Sequence, residues 1–82
     1  MVIMMEKTIR LSTTNDVLNL WHICNMAKAE CKIGYMDMKN GWKNGDMLED
    51  LCSFQFGKRL RIRVQGEDEF EIAKMIRKYE SF

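Results

Sequence analysis

The clearest alternation of apolar and charged positions lies towards the C-terminus, in Arg59-Leu60-Arg61-Ile62-Arg63-Val64-Gln65. Leu60, Ile62 and Val64 fall on one side and three arginines on the other. That period of two belongs to a strand with one buried and one wet face. Gly66 breaks the pattern, and Glu67-Asp68-Glu69 sets carboxylates where a helix N-terminus offers unpaired amides and partial positive charge. Phe70, Ile72, Ala73, Met75, Ile76 and Tyr79 then recur at helical spacing. Lys74, Arg77 and Lys78 come late, where the helix dipole favours cations. The pattern predicts a strand over 59–65 and a helix over 67–79.

Upstream, Thr8-Ile9-Arg10-Leu11 alternates and predicts a first strand, reaching back as far as Met4. The polar run 12–16 is rich in N-cap residues, and a helix is expected over 17–29. On a helical wheel Val17, Leu20, Cys24, Ala27 and Cys31 share one arc, flanked by Trp21 and Ile23. Leu18, His22, Met26 and Ala29 lie opposite, apolar enough to cover or meet something. A second strand over 33–38 leads to Asn40-Gly41, a hairpin turn, and to a short third strand over 42–44 that ends at Gly45. Asp46 then stands as the N-cap of a short helix over 47–53, whose apolar residues are Met47, Leu48 and Leu51.

The resulting order is β-α-β-β-α-β-α. Short strands and short loops in that order predict an α+β fold, one antiparallel four-stranded sheet with helices on one face. Leu11, Ile33 or Tyr35, Leu60, Ile62 and Val64 are expected to face Leu20, Cys24, Ala73 and Ile76 across the core. Eighty-two residues suffice for one domain, 1–82, with a single modest core.

Composition narrows the function classes. A net charge of +1 gives no overall pull towards nucleic acid or membrane. Met1 to Met5 are apolar, but Glu6 and Lys7 end the run far short of a signal sequence or a membrane span, so a cytoplasmic protein is expected. Cys24, Cys31 and Cys52 are odd in number and lack zinc spacing, as expected of reduced thiols. Cys24 and Cys31 fall on the core arc, which leaves Cys52 as the thiol to test for reactivity. No Ser-His-Asp set, metal cluster or glycine-rich phosphate loop is present, so neither enzyme activity, metal nor cofactor is expected.

The order of elements, the Asn40-Gly41 turn, the short helix after Gly45, Gly57 before the last strand and the Gly66-Glu67-Asp68-Glu69 run together resemble one family. It is the histidine-containing phosphocarrier protein, HPr, of the sugar phosphotransferase system. The resemblance spans roughly residues 7–80. It implies an open-faced β-sandwich, a four-stranded antiparallel sheet covered on one face by three helices. It also implies a phosphate-accepting histidine capping the first helix, in a Gly-Leu-His-x-Arg-Pro run. The matching stretch here, Thr14-Asn15-Asp16-Val17-Leu18-Asn19, holds no His, Arg or Pro. A phosphoimidazole needs an exposed imidazole and cationic or amide donors for its oxygens, and the nucleophile is missing.

The resemblance further implies a regulatory serine at the start of the second helix, and the nearest residue here is Asp46, an ordinary N-cap by its own chemistry. Family partners dock over the first two helices, which points to Leu18, Met47, Leu48 and Leu51, joined by His22 and Met26 on the outward arc. The expectation is therefore an HPr-like module that is not phosphorylated and works by protein–protein contact, with a partner or by self-association. One alternative is a true phosphocarrier with His22 as a relocated acceptor, though no Asp or Glu at i±4 orients that ring. Another is a nucleic-acid module on the Arg59, Arg61 and Arg63 face, disfavoured because that strand carries no aromatic residue for stacking bases.

Overall fold

The computed structural model describes residues 4–35 and 41–80. Strand β1 (Met4–Arg10) leads to helix α1 (Thr14–Met26), then β2 (Glu30–Tyr35), β3 (Lys43–Asn44), the short helix α2 (Leu48–Leu51), β4 (Arg59–Gln65) and α3 (Glu69–Ile76). A 3₁₀ turn, Arg77–Tyr79, extends α3. The strands form one antiparallel sheet in the order β1-β4-β2-β3. This is an α+β fold with three helices packed on the sheet. The residues 36–40 expected to end the second strand and enter the hairpin lie outside the described residues, and Gly41 beside them has φ 88.

The strand β4 is central because its alternation serves two neighbours at once. Ile62 pairs with Lys7 of β1 and with Ile33 of β2, and Leu60 pairs with Ile9 and Tyr35. Ile9, Ile33, Leu60, Ile62 and Val64 are buried with Leu20, Cys24, Leu51, Ile72 and Ile76 from the helices. Leu11 is buried as expected, while Ala73 and Tyr35 are half-buried. Tyr79 and Phe54 close the core at its margins.

The first helix starts and stops three residues earlier than the periodicity suggests. Thr13 caps it: Asp16 N–H donates to Thr13 Oγ1 at 3.2 Å, and Asp16 Oδ2 accepts from Thr13 N–H at 3.1 Å. This reciprocal box fixes the first turn at Thr14. At the other end Ala27 turns extended, and Asp68 accepts from the N–H groups of Lys28 and Ala29, both at 2.8 Å. A side chain distant in sequence thus takes amides that would have continued the helix. Cys31, placed on the helix arc by spacing, is accordingly in β2, and Ala29 is buried in the core.

Two further differences concern helix starts. Asp46 does not cap the second helix: the cap position is Met47, without a side-chain hydrogen bond, and Asp46 lies exposed one residue earlier. Asp68 occupies the cap position of α3 but turns its carboxylate to the α1–β2 connection instead. Gly66, at φ 153, lets that turn approach closely; a Cβ there would sit 2.6 Å from Ala29 Cα. Within α3, Phe70 and Met75 are exposed although their spacing fits the apolar stripe.

Candidate functional site

α1 lies between α2 and α3, so its outward side borders two depressions. The first, about 540 Å³, is walled by Trp21, Met47, Leu48 and Cys52 with Asp46 and Glu49 at its edge. Trp21 Nε1 donates to the Asp46 carbonyl oxygen at 3.1 Å, tying α1 to the turn before α2. Leu18 is 39% exposed and Met47 42%. Leu48 is half-buried against the core. Leu51 is fully buried; it belongs to the core and is no part of this surface. Every turn of a short helix needs an inward anchor, and Leu51 supplies it for α2.

The second depression, about 310 Å³, runs between α1 and α3 and is lined by His22, Ile23, Met26, Ile72 and Met75, with Asp68 and Glu71 among its walls. Met26, 79% exposed, therefore stands with α3 and not with Met47. Sequence spacing grouped Leu18, His22 and Met26 because it counts along one helix. The flanking helices place His22 and Met26 beside α3, while Leu18 lines neither depression. Trp21 and Met75 were not singled out for this surface, and their wheel positions alone gave no signal.

His22 is exposed in the third turn of α1, its ring centroid 4.9 Å from that of Trp21. It does not reach the helix N-terminus, where an anion would meet free amides. There, Asp16 Oδ2 already accepts from Ser12 N–H at 2.9 Å and Thr13 N–H at 3.1 Å. That carboxylate thus sets a negative charge beside the N-terminal turn, where it opposes a phosphoryl group.

On the opposite side of the sheet, Glu6 stands against Arg61 (3.4 Å) and Arg63 (3.7 Å). The Arg63 guanidinium lies 4.2 Å from the centroid of the Trp42 ring, an aromatic contributed from outside β4. Arg59 at the strand end is exposed. The arginine row is thus partly neutralised by an acidic neighbour and its aromatic is engaged by Arg63, an arrangement poorly suited to stacking bases.

Among the described residues no group of three or more His, Cys, Asp or Glu is placed to hold a metal ion. Among them, too, no helix is long and apolar enough to cross a membrane. Comparison with protein-family models, with curated proteins and with solved structures finds no match.

Proposed function

We propose that this chain is an HPr-like module without a phosphoryl acceptor, acting by protein–protein contact through the α1–α2 face. The element order and the helix-covered antiparallel sheet support the family reading. The observation that carries the contact reading is the Trp21–Met47–Leu48 surface, apolar, partly exposed and tied by the Trp21–Asp46 hydrogen bond, with Leu18 exposed on the same helix α1. Contiguous apolar surface costs solubility unless it is covered, and preorganised surface loses little entropy on binding.

A second copy of the chain is the partner tested first, since a two-fold contact would use this face on both copies. Sedimentation of the wild type is expected to show a dimer whose interface buries at least about 1,000 Å². Leu18→Asp combined with Met47→Asp is expected to yield a folded monomer. A wild type that stays monomeric at high concentration, and recovers no protein in pull-downs that the double variant fails to recover, removes the proposal.

A further inference from the structure

Cys24 in α1 and Cys31 in β2 are both buried free thiols, beneath a cavity that shares Asp46 and Met47 with the α1–α2 depression. They line this cavity, of about 420 Å³, between the end of α1 and β2, with Lys28, Lys32, Asn44 and Asp46 around it. Cys31 Sγ donates towards the Ala29 carbonyl at 3.9 Å. Gly45 is what lets them meet. A Cβ at Gly45 would lie 2.7 Å from Cys24 Sγ, 3.2 Å from Cys24 Cβ and 3.0 Å from Cys31 Cβ. Both Cβ atoms thus lie within about 6 Å of each other, and a closed disulfide holds them at roughly 3.5–4.5 Å. Cβ positions are set by the backbone, so bonding the two sulfurs draws the end of α1 and β2 together by that difference.

We propose that Cys24 and Cys31 form a dithiol site that a small soluble disulfide oxidises to an intramolecular disulfide. Their interaction makes the pair unequal. The side-chain interaction with Cys24 holds the Cys31 thiol below its ordinary range, against burial and the nearby Asp68, Asp46 and Glu30 carboxylates. The same interaction, with burial, pushes Cys24 up. Cys31, whose ionisation is the less hindered of the two by this interaction, is assigned the first attack, and the mixed-disulfide product of each single Cys→Ser variant reads that assignment.

Its sulfur bonds to one sulfur of the small disulfide, whose S–S bond breaks to release a thiolate that takes up the proton Cys31 has lost. Cys24, giving its proton to solvent, then attacks Cys31 Sγ and expels the second small thiolate, which is protonated in turn. Two protein thiols lose two electrons and two protons, and one disulfide becomes two thiols.

The test uses the Cys52→Ser protein, which keeps both buried cysteines and removes the exposed one. It is treated with bis(hydroxyethyl) disulfide, which leaves methionine untouched, then quenched in acid, unfolded and exposed to a maleimide. The expected product is lighter by two hydrogen atoms and takes no maleimide until reduced, whereas untreated protein takes two. In a disulfide–thiol buffer the folded protein is expected to oxidise at a ratio about tenfold lower than in urea, because the fold holds the thiols together. Cys24→Ser in the same background is expected to stop at a mixed disulfide on Cys31. Should that variant not fold, the Cys52→Ser result decides alone. Two maleimides on treated protein, a mixed disulfide that never closes, or a midpoint in urea equal to or below that of the folded protein would each overturn the proposal.

Discussion

At the scale of single residues, Asp68 does the most with the least. Its carboxylate accepts the Lys28 and Ala29 amides, and the Lys28 N–H foremost holds it below the usual aspartate range, with the Ala29 N–H adding to it against an opposing desolvation. A carboxyl depressed in the folded state contributes stability that is complete above its unfolded value, about 3.9. That contribution is lost as pH falls through the lower folded value. Asp68→Asn is therefore expected to be less stable than wild type at neutral pH, with the difference closing in acid; urea midpoints from pH 7 down to pH 2 measure it. Tyr79 shows the opposite economy. Its ring is buried, but its hydroxyl finds no partner among the described residues. Tyr79→Phe is expected to leave stability unchanged or raise it by up to about 1 kcal/mol, read by thermal unfolding.

At the scale of elements, the β4–α3 turn and the α1–β2 turn are one joint. Gly66 brings the two backbones together and Asp68 pins them. A methyl at Gly66 meets Ala29 backbone, which cannot swing aside as a side chain can. Gly66→Ala is expected to cost roughly 1–3 kcal/mol. Because both residues act on the same contact, Gly66→Ala with Asp68→Asn should cost less than the sum of the single changes, which a double-mutant cycle checks. The short helix α2 divides just as sharply. Leu51→Ala empties a fully buried site and is expected to cost about 2–5 kcal/mol, whereas Met47→Asp, at an exposed position, should stay within about 0.5 kcal/mol. Denaturant curves of the two variants separate the core role from the surface role.

At the scale of the whole molecule, the two faces of the antiparallel sheet differ. The helix-covered face is core, and the other pairs Glu6 with Arg61 and Arg63. The edge strand β1 is partly covered by a single bridge from Ile9 to Glu80 and an ion pair from Lys7 to Glu80 at 3.8 Å, which limits edge-to-edge association. The proposed contact surface is therefore the helical one. Incubation with a phosphoenolpyruvate-driven phosphoryl donor system is expected to leave the protein unlabelled, because the α1 N-terminus carries the Asp16 carboxylate in place of an acceptor histidine and His22 lies two turns away. Acid-labile label that disappears in His22→Ala would restore the phosphocarrier alternative.

The sequence by itself determined the first and last strands and the antiparallel α+β class, whereas β2 begins at Glu30, three residues before the pattern places it. The β4 alternation, from Leu60 to Val64, is a local signal that tertiary contacts only strengthen. It also determined most of the sheet side of the core, since a period of two assigns faces without knowing the neighbours. Where α1 ends was decided by Asp68, some forty residues away in the chain, and no local propensity encodes that hydrogen bond. The split of the apolar surface was likewise decided by α2 and α3 on either side of α1, which moved Met26 away from Met47 and Leu51 into the core. The meeting of Cys24 with Cys31 depended on the chain leaving the helix before Cys31 and on Gly45 crossing beside both. Periodicity reports the direction in which a side chain points; only the packed chain decides what it meets there.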